Sequence, residues 1–264
     1  METQEETSGS KPYGNHSLAT LLVFTLAATL FFNCCRSGTE KQEWVPLFNG
    51  ENLEGWDIKI SGYPLNDNHG NTFRAEDGVL KVSYDEYEEF GDRFGHIFYN
   101  QPFSHYKLRV EYRFVGRQTP GGPGWAYRNN GIMFHSQPAE SMELHQHFPV
   151  SVEAQLLGGD GENERPNGSV CTPGTNVEID GERIDDHCIS SGAQTFHGDQ
   201  WVHFELVVYG DSLVYHIVEG DTVMTYGNIR LEDSGLPLGK GYIALQAESH
   251  PTEFKKIEIL DLKP

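Results

Sequence analysis

From about residue 44 onward the chain alternates apolar and polar residues in short segments broken by Gly, Pro, Asn and Asp, with hardly any helical period. Period-two alternation marks strands that bury one face. It predicts strands over Phe73–Ala75, Val79–Ser83, Ile97–Phe98, Tyr106–Val115, Gly131–His135, Ser151–Leu157, Trp201–Tyr209, Ser212–Glu219, Thr222–Tyr226, Gly241–Glu248 and Phe254–Leu262. Gly210-Asp211 and Gly220-Asp221 mark consecutive hairpin turns. The expected fold is all-β, two antiparallel sheets packed as a sandwich. No internal repeat or interior linker divides it, so residues 44–264 read as one domain.

Strand parity then separates core positions from outward ones. In Tyr106–Val115, Leu108, Val110, Tyr112 and Phe114 form the apolar set, and Arg109, Glu111 and Arg113 point the other way. In Ser151–Leu157, Val152, Ala154 and Leu156 go inward, opposite Ser151, Glu153 and Gln155. In Gly241–His250, Ile243, Leu245 and Ala247 oppose Tyr242, Gln246, Glu248 and His250. Solvated strand faces are usually mixtures of Lys, Glu and Thr. Carboxylates, amides and imidazoles recurring at Glu111, His135, Glu153, Gln155, Gln246, Glu248 and His250 suit hydrogen bonding to a hydroxyl-rich ligand.

Three further features bear on chemistry. His145-Gln-His147 has a spacing that could seat two metal ligands on a strand or form a solvated loop before Pro149. Gly121-Gly122-Pro123-Gly124 lacks the helix and Lys of a phosphate loop and reads as a hairpin or a lid, with Trp125 and Tyr127 close by. Ordinary glycoside hydrolysis needs two carboxyls, and Ser151–Leu157 supplies only Glu153, which argues against a conventional retaining glucanase.

A formal net charge of -20 speaks against a nucleic-acid partner, which would need clustered Lys and Arg. The apolar run 18–32, preceded by Lys11 and followed by Cys34 and Cys35, is too short for a comfortable membrane span and has the length of a signal-peptide core. It resembles a bacterial lipoprotein signal, with Cys34 as the lipidated residue. The expected organisation is an anchor over 1–35, a linker over 36–43 and the sandwich over 44–264, exported to the periplasm or cell surface and held to the membrane by lipid. In such an oxidising compartment Cys171 and Cys188 are expected to pair, closing a loop of about 17 residues worth ~3 kcal/mol.

Four segments carry a resemblance to a known family: Trp44-Val-Pro-Leu-Phe-Asn-Gly-Glu-Asn-Leu-Glu-Gly-Trp56, Asn129-Asn130-Gly131-Ile132, Val152-Glu153-Ala154-Gln155 and Gly241-Tyr-Ile-Ala-Leu-Gln246-Ala-Glu-Ser-His250. They resemble the 3-keto-disaccharide hydrolases. The resemblance implies a concanavalin A-like jelly roll and an activity on sugars oxidised at C3 by a separate 3-dehydrogenase, the partner enzyme upstream. A C3 ketone acidifies the C2 proton, so one base and an oxyanion stabiliser suffice to expel the group at C1. Glu111, Asn130, Glu153, Gln155 and the Gln246–His250 strand fall on the family's motif positions. Glu153 or His250 is then the expected base, the other orienting it or ligating a divalent cation that polarises the ketone. Common relatives end the last motif in Gln-x-His-Gly, which leaves open whether Glu248 or His250 takes that His position. The same face would also serve a non-catalytic carbohydrate-binding module.

Overall fold

The computed structural model describes residues 43–262. Cys34, the apolar run and nearly all of the expected linker lie outside the described residues. Seventeen strands follow one another: β1 (Val45–Pro46), β2 (Trp56–Ile60), β3 (Phe73–Glu76), β4 (Val79–Val82), β5 (Gly95–Tyr99), β6 (His105–Phe114), β7 (Asn129–Ser136), β8 (Val152–Leu157), β9 (Ser169–Cys171), β10 (Thr175–Ile179), β11 (Glu182–Ile184), β12 (Cys188–Ile189), β13 (Val202–Tyr209), β14 (Leu213–Val218), β15 (Asp221–Leu231), β16 (Tyr242–Ala247) and β17 (Thr252–Asp261). The longest helical pieces among the described residues are single 3-10 turns, and no helix there is long and apolar enough to cross a membrane.

All strand pairs are antiparallel and fall into two sheets. A ten-stranded sheet runs β11-β10-β15-β14-β13-β6-β17-β4-β3, with β1 beside β17, and a seven-stranded sheet runs β12-β9-β8-β7-β16-β5-β2. Their facing sides supply one core. Leu108, Val110, Tyr112, Phe204, Leu206 and Phe254 from the first sheet meet Ile97, Ile132, Phe134, Leu156, Ile243 and Leu245 from the second, all at most 1% exposed. β6 shows strict alternation of buried and half-buried residues, as expected of a strand with one face on the core and one toward water. β7 is buried along its whole length, because its outward face is covered as well.

The hairpin from β13 to β14 turns through Gly210, in the left-handed region at φ 58°. The next turn is Glu219-Gly220, one residue earlier than the Gly220-Asp221 expectation, with both residues at positive φ as a two-residue type I′ hairpin requires. His216 is buried in the core, bonded to Gly168 O and the Tyr226 hydroxyl, which satisfies both ring nitrogens.

Candidate functional site

The site lies on the outer face of the seven-stranded sheet. Cross-strand register aligns Lys59 of β2 with His96 of β5, and His96 with Gln246 of β16. On the far side of β16, Gly131 of β7 faces Gln155 of β8, which faces Ser169 of β9. Two residues along, Met133 faces Glu153, which faces Cys171 of β9, which faces Cys188 of β12. Cys171 and Cys188 form the expected disulfide. Glu248 follows directly on β16, two residues beyond Gln246.

These elements enclose a cavity of about 260 Å³ lined by Trp125, Asn129, Phe148, Glu153, Gln155, Cys171, Pro173, His187, Cys188 and Glu248. Glu153 is 7% exposed and Glu248 3%. Burial pushes the Glu153 carboxyl up to about 8. Burial and then the neighbouring Glu153 charge drive Glu248 well above the usual carboxylate range. Two carboxyls in one enclosed site cannot both ionise cheaply, so at neutral pH the pair retains at least one proton. The single-carboxylate expectation drawn from Ser151–Leu157 is therefore corrected: the second carboxyl comes from another strand's end.

Several buried polar atoms beside the pair have no partner within the protein: both side-chain atoms of Gln246, both ring nitrogens of His96, Glu248 Oε2 and Asn129 Oδ1. Leaving a buried polar group unbonded is costly, and such orphans clustered on one sheet face suit a polar guest. Burial, and secondarily the Lys59 charge, hold His96 down to about 3, so it is a neutral donor and acceptor. Lys59 itself is buried and donates to the carbonyls of Tyr63 at 2.9 Å, Leu144 at 3.2 Å and Ile60 at 3.3 Å.

Gly131 makes room for the carboxyl. A methyl group there would collide with Glu153 Oε1 and lie 2.7 Å from both Glu153 Cγ and Gln246 Oε1. Its φ is not in the left-handed region, so alanine fits the backbone and strikes only the site. Gly131→Ala should fold with a stability loss of about 1–3 kcal/mol and lower kcat/KM by at least ~10-fold, read by thermal unfolding alongside kinetics. Full activity in this variant would mean that the placement of Glu153 is unimportant.

The structure brings Glu153, Gln155, Gln246 and Glu248 together and places the other sequence-derived candidates elsewhere. Glu111 lies on the outer face of the ten-stranded sheet. A bulge at Lys256, φ 49°, turns both Lys255 and Lys256 onto it, Lys255 at 3.1 Å. Burial raises the Glu111 carboxyl, but its hydrogen bonds to the two lysines outweigh that and hold it below its ordinary value. His135 sits at a bulge near the end of β7 with φ 47°, its Nε2 2.9 Å from Gly210 O. Burial depresses it to about 4. Asn130 points inward, its Nδ2 donating to Gln246 O at 2.9 Å, and Asn129 takes the cavity side.

His250 departs from the alternation because Ser249, at φ 87°, turns the chain. Its ring packs edge-on to Phe114 and Tyr127, buried on the core side. Burial, then the Arg128 charge, keep it near 4. Glu248 therefore holds the cavity-facing position two residues past Gln246. A metal shared by Glu153 and His250 does not fit this arrangement, and among the described residues no three His, Cys, Asp or Glu side chains gather as a ligand set. His145 and His147 are exposed in the loop between β7 and β8. The Gly121–Gly124 segment is a loop packed on Ser249, with Gln118 Nε2 donating to both Ser249 Oγ and Pro123 O.

Sequence reasoning passed over His96, Lys59, Asn129, Phe148 and His187. Parity could have found two of them. Ile97 inward implies His96 outward, and Ile132 inward implies Asn129 and Gly131 outward.

Among solved structures, a Parabacteroides distasonis protein provisionally described as a glycosyl hydrolase is 18% identical, with 83% of this chain and 94% of that one covered at a TM-score of 0.53. A Bacillus subtilis protein of unknown function with a galectin-like fold is 11% identical over 84% of this chain and 97% of its own, TM-score 0.48. A Bacillus subtilis carbohydrate-binding module is 8% identical over 84% and 98%, TM-score 0.43. The first of these shares the fold. No protein of curated function matches the chain by sequence. The family model for the 3-keto-alpha-glucoside-1,2-lyase-like domain matches residues 43–260, and the chain belongs to that family.

Proposed function

We propose that this chain cleaves glycosides whose sugar is already a ketone at C3, by abstracting the C2 proton and eliminating the group at C1. The observation that carries the reading is the buried carboxyl pair, Glu153 and Glu248, lining a cavity together with the amides of Asn129 and Gln155 and the imidazole of His187. A carboxylate that titrates near 8 is a far stronger base than an ordinary one and still ionises near neutral pH. Glu153, once ionised, takes the proton from C2, and the C2–H electrons move toward the C3 oxygen as an enolate. The side-chain amides of Asn129 and Gln155, which line the cavity, are the donors available to that oxygen. The enolate then forms the C1–C2 double bond as the C1–O bond breaks, and the departing oxygen takes the proton held by Glu248. The products are an enone sugar and a free alcohol. Proton exchange between the two carboxyls resets the site, and water can add to the enone afterwards.

The pairing itself supports a second reading, hydrolysis of an unoxidised glycoside by the same two carboxyls. One assay separates the readings: a 3-keto disaccharide and its unoxidised parent, each with and without chelator, in deuterated water. Turnover of the ketone alone, with solvent deuterium entering at C2, is expected. Turnover of the parent would favour the second reading. Turnover of neither leaves a carbohydrate-binding module. The catalytic chemistry requires a sugar 3-dehydrogenase upstream. Export with a lipid anchor at Cys34 belongs to the same proposal, and the Cys171–Cys188 disulfide supports an oxidising compartment.

A further inference from the structure

The cavity that holds the two carboxyls is small. At about 260 Å³ it lies below the roughly 300 Å³ at which pockets for drug-sized ligands begin, room for one sugar ring. The second ring of a disaccharide must therefore lie outside it. At the cavity mouth stands Trp125, 55% exposed where the carboxyls below are almost fully covered.

Trp125 is held rigidly for an exposed residue. It sits in the 3-10 turn Gly124–Ala126, pinned by the fully buried Ala126 and by the Ala126 N–H bond to Pro123 O. Its indole lies parallel to the Phe94 ring, centroids 5.7 Å apart and planes 6° apart. Phe94 is buried and meets Phe90 edge-on at 4.9 Å, so the backing ring is fixed in turn. One indole face is thus partly covered by the offset Phe94 ring, and much of the exposure belongs to the other face and the edge. A large, flat, pre-oriented apolar surface costs little entropy to use, and the axial C–H groups of a pyranose present a matching face.

We infer that Trp125 is the platform for the leaving-group ring of a disaccharide and sets the preference for disaccharides over glycosides with small aglycones. The inference rests on the proposed function, whose carboxyl pair fixes where the cleaved bond lies. Two variants test it, Trp125→Ala and Trp125→Phe, each on the 3-keto derivative of maltose and on 3-keto methyl glucoside. For Trp125→Ala, kcat/KM should fall about tenfold more on the disaccharide than on the methyl glycoside, the difference lying mainly in KM, and Trp125→Phe should recover most of that difference. Equal losses on both substrates, or none on the disaccharide, would overturn the assignment.

Equilibrium binding of unoxidised maltose and methyl glucoside by calorimetry distinguishes failure of the platform from failure of the chemistry. If the wild-type protein turns over neither ketone, selective weakening of maltose binding in Trp125→Ala still supports the platform. Unchanged maltose binding, or none by the wild type, rejects it.

Discussion

Glu153→Gln is expected to lower turnover of a 3-keto disaccharide by about a hundredfold or more, the usual loss when a general base is removed. Glutamine keeps the shape of the side chain in the space left by Gly131 and keeps hydrogen bonds to a sugar, so KM should change far less than kcat. Solvent deuterium should no longer enter at C2 of recovered substrate. Near-normal kcat with exchange intact would move the base elsewhere, and Glu248 is then the next group to test.

The same substitution should raise stability at alkaline pH. Glu153 is buried, and its folded-state value of about 8 lies above an unfolded value near 4.5. Between those values the folded state holds a proton that the unfolded state has released, so stability falls as pH rises through that window. At ~1.4 kcal/mol per unit the loss from this group is on the order of 5 kcal/mol by the alkaline end. Glu153→Gln removes that contribution. Urea midpoints measured from about pH 5 to 9 should fall more steeply for the wild type than for the variant, with the variant the more stable at the alkaline end. Parallel slopes would show that the carboxyl is solvated in the folded protein. A site that weakens its own fold in this way is the expected cost of a strong base held in a covered cavity.

Period-two alternation revealed most of the sandwich. β6, β13, β14 and β17 each bury one face and show it plainly. β9 to β12 carried little signal, because they run from two to five residues and their pairing is decided by neighbours distant in sequence. β2 was hidden by Lys59, whose charge reads as solvent-facing although its ammonium ends among backbone carbonyls.

The site was half legible for a related reason. Alternation identifies which side of its own strand a residue takes, and Glu153, Gln155, Gln246 and Glu248 followed it. It does not identify which of two sheets a strand joins. Glu111 obeys the parity but lies on the opposite outer surface, balanced by Lys255 and Lys256. Nor does alternation continue past a residue in the left-handed region, which is how His250 came to face the core.

Ser249 gives the end of β16 a property that the strand as a whole lacks. Residue 248 is the last position presented to the cavity, and its successor is held by the Tyr84 hydroxyl, which accepts from Ser249 N, and by the loop at Gln118 and Thr119. These bonds act on Ser249 and leave the side chain of residue 248 free to vary. A change of side chain at residue 248 would then alter the proposed proton donor of the cavity without any redrawing of the backbone.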